Sequence, residues 1–600
     1  MKHVKSKDDR LLDFLNVHTA YQARVVPNQN EFTFISNKSG FPEIWTLDGS
    51  MKPVRYGNYH DRVLGVYHAP NGNKTIIGID KDGDEKQQFY MQEGSTDKIQ
   101  QLVYSPEHFH KFGGWSPDSK KISYSSNRRH PGYFDVFVQD VVTKETKKVF
   151  QFDGICEPVC WLPDGNSIVV SISKTNIENQ LFILNLKSEE ITQIGKDNVM
   201  ATYSTIQLKN DKKDGYILTN MEEEMIYLGW FSVDKPSEIK KVFSVYKCDL
   251  EELQLSPDEK CIAFTINNNG YSQLVVYYIE SAKSIYVENI PNGVINSLAW
   301  LNDNQLIFTL KTPTIPGDIW SYTLSTKNVE CMTNISSQNG LENLLIEPDL
   351  YTFESFDGIK IPYFLYEKQE GDNKPAVVYV HGGPEGQSRP TYNPVIQYLA
   401  NQGVSVAVPN VRGSKGYGRT YIKMDDGRKR MDAVNDLVWL VKNLTTSHSI
   451  NERKIGVMGE SYGGFMTLAA LAHFPNIWCA GVDIVGISHF KTFLENAGAW
   501  RRRLRESEYG YLDYDNDFFE EIAPLNHAQE IKAPLLVFHG RNDTRVPVSE
   551  SEQLVDAMLA NGQTVDLTIF PNEGHQTEKV ANSIKMHRET ITFFQKYLLD

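Results

Sequence analysis

The stretch from Lys454 to Thr467 leaves its backbone little freedom. An apolar run, Ile455 to Met458, enters Gly459-Glu460-Ser461-Tyr462-Gly463, and a helical pattern from Phe465 to Leu471 follows directly. This is Gly-x-Ser-x-Gly in a strand–turn–helix setting. Glycine flanks the serine because the turn is tight, and side chains there would collide with the strand and the helix. The serine is thrust out at the top of a sheet, a placement suited to acyl transfer through a covalent serine intermediate. Five residues match by chance in many chains, so the assignment rests on these flanks and on partners downstream.

A serine nucleophile in this setting needs an acid and then a histidine further along the chain. Pro534 to Gly540 reads as a buried parallel strand, with Arg541-Asn542-Asp543-Thr544-Arg545 at its C-terminal edge. The next strand, Val565 to Phe570, ends in Pro571-Asn572-Glu573-Gly574-His575. Ser461 is assigned as nucleophile and His575 as general base and then acid; Asp543 orients the imidazole and stabilises its charged form. His539 and Glu573 are the nearest competitors, His539 reading as structural because it lies inside the strand. Ala376 to Val380 is another buried strand, and it opens into His381-Gly382-Gly383-Pro384. The amides of Gly383 and Tyr462 are the candidate oxyanion donors.

Further apolar runs, Val404 to Val408 and Ala480 to Val485, alternate with helix patterns such as Met431 to Leu440, while Asn451 to Lys454 reads as a polar lead-in. Strands alternating with helices predict an α/β-hydrolase domain over 346–600 with a mostly parallel sheet covered on both faces.

The first half has few long helical patterns and repeats instead, at intervals of about 40–45 residues. Clear copies begin at Trp115-Ser116-Pro117-Asp118, Trp161-Leu162-Pro163-Asp164 and Leu255-Ser256-Pro257-Asp258, weaker ones at Ala69 and Trp300, and degenerate ones near residues 30 and 205. Each is a strand, a Pro-Asp or Asn-Gly turn and a second strand. This predicts an all-β propeller over 21–345, with seven blades and with six or eight left open. Residues 1–20 form an N-terminal extension expected to pack on the hydrolase domain.

A propeller ahead of a hydrolase domain carrying His381-Gly382-Gly383-Pro384, Gly459-Glu460-Ser461-Tyr462-Gly463-Gly464, Asn542-Asp543-Thr544-Arg545 and Gly574-His575 resembles the prolyl oligopeptidase family of serine peptidases. The resemblance covers essentially the whole chain, includes Arg412-Gly413-Ser414 and Gly416-Tyr417-Gly418, and looks nearest to the acylaminoacyl peptidases and their bacterial relatives. It implies a propeller that roofs the active site and admits peptides rather than folded proteins. It also implies that Arg545 helps hold the substrate, and that Ile487, Phe490 and Phe493 sit where relatives place the acyl-side pocket; hydrophobic core is the competing reading of those three.

Arg501, Arg502, Arg503 and Arg505 could bind a peptide's terminal carboxylate, which would make the chain a carboxypeptidase, or could pair with Glu506 and Glu508 along a helix face. No acidic pair in the propeller stands out as an anchor for a free substrate amino terminus. The same triad would also suit a small-acyl esterase, and a propeller interaction protein with a vestigial hydrolase half stays open as a non-enzymatic reading.

The expected partners are short peptide substrates, with self-association into a homo-oligomer left open. The net charge of −15 argues against nucleic acid and anionic membrane. No run of about eighteen apolar residues and no signal-peptide core is present, and six sparse cysteines suit reduced thiols in the cytoplasm. No metal or other cofactor is expected: Cys156 and Cys160 lack a second ligand pair, and Asp80 to Glu85 lacks the closing ligand of a calcium loop and reads as a solvated hairpin.

Overall fold

The computed structural model describes residues 7–599 apart from 97, 211–212, 338–340, 342 and 369–370. The six N-terminal residues of the predicted extension lie outside the described residues.

Among the described residues, seven four-stranded antiparallel sheets follow one another at 20–55, 63–103, 110–150, 156–194, 203–243, 249–286 and 294–331. The blade turns form as their residues dictate. Ser116 Oγ donates to Asp118 Oδ1 at 2.7 Å, and Asp118 Oδ1 accepts the Lys120 N–H at 3.1 Å. Three repeat tryptophans also lock each blade to the one before it. Trp115, Trp161 and Trp300 donate their indole N–H to the carbonyls of Tyr67, Gly114 and Gln254, across 48, 47 and 46 residues. These spans put the repeat slightly above the interval read from the sequence. The ring is closed by apolar packing of Phe32, Phe34 and Trp45 against Ile307 and Ile319, joining the first and last blades.

The second unit is built on one eight-stranded sheet: β1 (Asp349–Glu354), β2 (Lys360–Tyr366), β3 (Lys374–Val380), β4 (Ser405–Pro409), β5 (Ile450–Glu460), β6 (Ala480–Ile484), β7 (Leu535–Gly540) and β8 (Val565–Phe570). The spatial order is β1-β2-β4-β3-β5-β6-β7-β8. β2 runs antiparallel to both its neighbours, and every pair from β4 to β8 is parallel. β6 and β7 are buried along their whole length, as their unbroken apolar runs require when helices cover both faces. β5 starts earlier than the sequence suggests. Asn451 to Lys454 is already strand, because Ile450 pairs with Lys374 at the sheet margin, where polar side chains can face water.

The helix Lys7–Leu15 packs Leu11, Phe14 and Leu15 into the hydrolase core, and Tyr392 Oη donates to the Phe14 carbonyl at 2.8 Å. No helix among the described residues is long and apolar enough to cross a membrane.

Candidate active site

β5 delivers Ser461 at φ 60°, ψ −116°, between the strand and the helix Tyr462–His473. A non-glycine residue in that conformation is strained, and the surroundings impose it. A Cβ at Gly459 would overlap the Gly463 carbonyl, and one at Gly463 would overlap the Val380 carbonyl. The loop after β3 passes so close to the turn that a Cβ at Gly382 would lie 2.8 Å from the Glu460 carbonyl oxygen and 3.3 Å from Ser461 Cβ. Gly383 itself has φ 53°, and Tyr462 opens the helix, so its amide sits at the positive end of the helix dipole. The loop that carries Gly382 and Gly383 therefore passes beside the serine turn, and Tyr462 follows the serine directly.

Asp543 follows β7 and His575 follows β8, and the parallel pairing of the two strands brings the loops together. His575 Nδ1 lies 2.7 Å from Asp543 Oδ2. The other carboxylate oxygen accepts the backbone N–H groups of Arg545 at 2.7 Å and Val546 at 2.9 Å. Burial alone would raise the Asp543 pKa. The charge of His575 and hydrogen bonds from His539 and His575 outweigh it and hold the carboxyl well below the usual range. The two competitors have structural posts. His539 lies between Ser551 Oγ at 2.7 Å and the Val546 carbonyl at 3.0 Å, behind the aspartate. Glu573 accepts from Lys579 N at 2.9 Å and Asn582 Nδ2 at 2.8 Å, fixing the end of the histidine loop.

The propeller reaches into this loop. The hairpin at Asp80–Glu85 is docked, which corrects the expectation of a solvated turn. Asp80 pairs with Arg62, Arg62 pairs with Glu578, and Asp82 pairs with Lys579 at 2.7 Å. Asn542 Nδ2 donates to the Asp82 carbonyl at 2.9 Å, and a Cβ at Gly83 would overlap the Gly574 amide. Of the charges that looked solvated in sequence, Asp82 and Glu85 are matched by Lys579 and Arg545 of the other domain, and Asp80 by Arg62 of the propeller itself. Gly83→Val combines a φ of 83° with that overlap, so it should push the histidine loop aside and lower kcat about a hundredfold. Steady-state kinetics on a small ester, with circular dichroism as the folding check, test this; an unchanged kcat would mean the hairpin does not set His575.

Glu85, from the same hairpin, holds Arg545, with Arg545 Nε 2.8 Å from Oε1 and the ion pair closing to 2.6 Å. The helix Ala499–Tyr509 splits the arginine cluster. Arg502 pairs with Glu506 one turn on at 3.0 Å, and Arg503 donates to the Asp153 carbonyl of the propeller at 3.2 Å, so neither faces the centre. Arg505 pairs with Glu385 at 3.1 Å, and Arg501 lies within electrostatic reach of Arg505, Arg545 and Glu85.

Ile487, Phe490 and Phe493 are only 1–2% exposed and sit in the domain core, Phe490 packed between Phe465 and Tyr509 with ring centroids 4.5 Å away on each side. This corrects their assignment as pocket walls: apolar side chains at helical spacing turned inward.

Sequence reading missed a buried network behind the serine. Arg430, fully buried, bonds Asp425, Tyr462 Oη at 3.0 Å and Glu508 Oε1 at 2.6 Å. Asn176 of the propeller bonds Glu508 at 2.7 Å and also Glu385. No local motif marks these residues, which come from five separate segments.

Between the propeller's inner strands and the hydrolase loops lies a cavity of about 610 Å³ whose lining includes Glu178, Glu224, Asp249, Glu251, Glu252 and Glu385. Arg419 and Lys423 match Glu178, and Arg389 matches Glu251. Burial lifts Asp249 to about 6. Asp249, Glu251 and Glu252 come from one propeller strand, Glu178 and Glu224 from the two preceding blades and Glu385 from the hydrolase domain, an acidic grouping that the sequence reading passed over.

Serine, histidine and aspartate on the loops of a parallel sheet, under a propeller, define a serine hydrolase of the two-domain type. The prolyl oligopeptidase family matches over residues 390–600. Dipeptidyl peptidase family member 6 of Caenorhabditis elegans is 24% identical over 95% of this chain and 84% of its own length. Dipeptidyl aminopeptidase BIII of Pseudoxanthomonas mexicana is 34% identical over 37% of this chain and 33% of that protein, and the acylamino-acid-releasing enzyme of Arabidopsis thaliana 28% identical over 38% and 31%. In fold, a puromycin-hydrolyzing peptidase of Mycobacterium tuberculosis superposes with a TM-score of 0.87 at 16% identity, over 98% of this chain and 96% of that one. The hydrolase domain thus matches the prolyl oligopeptidase family of serine peptidases.

Proposed function

We propose that this chain cleaves short peptides near their amino-terminal end through an acyl-enzyme on Ser461, in the manner of an acylaminoacyl peptidase. Ser461 Oγ attacks the scissile carbonyl and passes its proton to His575 Nε2. The Asp543 carboxylate, accepting from His575 Nδ1, stabilises the imidazolium that results. The oxyanion is received by the Gly383 and Tyr462 amides, and each such donor is typically worth about a hundred- to thousandfold in rate. His575 then returns the proton to the leaving amine, and water releases the acyl group by the same steps in reverse roles. Arg545 is the substrate-facing cation at the rim, its guanidinium already oriented by Glu85.

The observation that supports a peptide substrate is the docked hairpin on the histidine loop, which brings the propeller against the loops that carry Asp543 and His575. The acid-lined cavity supports a second reading, a dipeptidyl peptidase that anchors a free substrate amine there. The six cysteines stand as free thiols, which supports a cytoplasmic setting.

One core peptide, prepared with a free or an acetylated amino terminus and followed by mass spectrometry, tests both readings. Release of the acetylated first residue from the blocked peptide alone is the expected result. Release of a dipeptide from the free peptide alone would replace it with the second reading.

A further inference from the structure

Three guanidinium groups, those of Arg501, Arg505 and Arg545, share one electrostatic neighbourhood at the catalytic centre. Two of them are matched. Glu85 neutralises Arg545 at 2.6 Å and Glu385 neutralises Arg505 at 3.1 Å. The third is not. Among the described residues, Arg501 has no carboxylate within ion-pair distance, and its Nε is buried without a hydrogen-bond partner. Its guanidinium carbon lies 5.3 Å from the centre of the Trp500 ring, and Trp500 is itself wedged against Phe109 and Phe134 of the propeller. Burial, together with Arg505 and Arg545, lowers the Arg501 pKa to about 10, so its surroundings disfavour the charge it carries.

Arg501 is half-buried, and a partly dehydrated cation without an anion is costly to keep, so a structure that tolerates it gains once an anion arrives. The neighbouring positions show that the helix was free to do otherwise, since Arg502 pairs along its own helix and Arg503 reaches the Asp153 carbonyl. A guanidinium offers five N–H donors in a planar fork that fits a carboxylate with two parallel hydrogen bonds. The matched pairs on either side also keep Arg505 and Arg545 from competing for the same ligand.

We infer that Arg501 is a specificity-determining residue that receives a carboxylate of the peptide substrate, either the terminal α-carboxylate of a short peptide or an acidic side chain. This deepens the peptidase reading and rests on it. It narrows the arginine cluster seen in the sequence to a single position, with Arg502 and Arg503 outside the site.

The test compares four versions of one short peptide, with a free or amidated C-terminus and with glutamate or glutamine at one internal position. The wild-type chain, Arg501→Gln and Arg501→Lys are assayed on each, with a neutral acyl ester as the catalytic control. For the wild type, kcat/KM should be about ten- to a hundredfold higher on the carboxylate-bearing peptide, with the difference mainly in KM. That ratio should fall close to one in Arg501→Gln and be partly restored in Arg501→Lys. The pair that shows the effect identifies the source of the carboxylate. A wild-type ratio near one on both pairs overturns the inference, as does a ratio that survives in Arg501→Gln. Should Arg501→Gln fail to fold, a ratio in Arg501→Lys that is reduced from the wild-type value, with its KM unchanged on the amidated peptide, supports the guanidinium fork, and a ratio equal to that of the wild type refutes it. Turnover of the ester without cleavage of any peptide by the wild type refutes the peptidase reading itself, and the subsite with it.

Discussion

Ser461→Ala should remove about six orders of magnitude from peptide turnover, the loss seen when a triad nucleophile is deleted. The fold should survive. Alanine carries the same Cβ into the same strained turn, and the elbow is held by backbone contacts around Gly459 and Gly463 and by the Ser461 N–H bonded to the Ile484 carbonyl at 2.8 Å. Neither depends on the hydroxyl. Turnover of a chromogenic peptide and labelling by a serine-directed fluorophosphonate should both vanish while the circular dichroism melt stays put. Residual cleavage above about one part in ten thousand, in a preparation free of wild type, would move the nucleophile elsewhere.

Asp543→Asn should cost about four orders of magnitude in kcat, for a reason specific to its hydrogen bonds. Oδ1 accepts two backbone N–H groups, from Arg545 and Val546, so an asparagine at 543 must keep its carbonyl oxygen there. Its amide then points at His575 Nδ1, where Asp543 now accepts a hydrogen bond. The imidazole is forced to carry its proton on Nε2 and can no longer take one from Ser461.

The same substitution has a signature in folding. The native Asp543 carboxyl titrates below its unfolded value, so the stability it contributes is present above about pH 4 and is lost as pH falls through the native value. Asp543→Asn should therefore flatten the acid limb of the stability curve. Urea titrations of both proteins at several values below pH 5 measure this. Parallel acid limbs would mean that Asp543 holds no special place in the folded protein's proton balance.

The difference between what the sequence announced and what it concealed follows contact range. The elbow, the strands that carry the acid and base loops, and the blade turns are local. Ser461, Asp543 and His575 each sit at a fixed offset from an apolar run, and Ser116 and Asp118 close their turn within three residues. Burial patterns in β6 and β7 were likewise readable, because a strand covered on both faces can hardly be anything but apolar.

What could not be read depends on which distant segments meet. The hairpin at Asp80–Glu85 has the composition of a solvated turn, and only Arg62, Glu578, Lys579 and Arg545 make it an interdomain contact. Ile487, Phe490 and Phe493 have the composition of either a pocket or a core, and the packing of Phe490 on Tyr509 decides for core. Four arginines within five positions look alike in sequence. The helical twist, and the positions of Glu385, Glu506 and Asp153 around it, leave one of them unmatched. By itself the sequence determined the chemistry, since nucleophile, base and acid are bound to local backbone geometry that local residues dictate. Only the tertiary structure decided which charges are satisfied and which remain for a substrate, because charge matching is a sum over neighbours that the chain brings together from hundreds of residues apart.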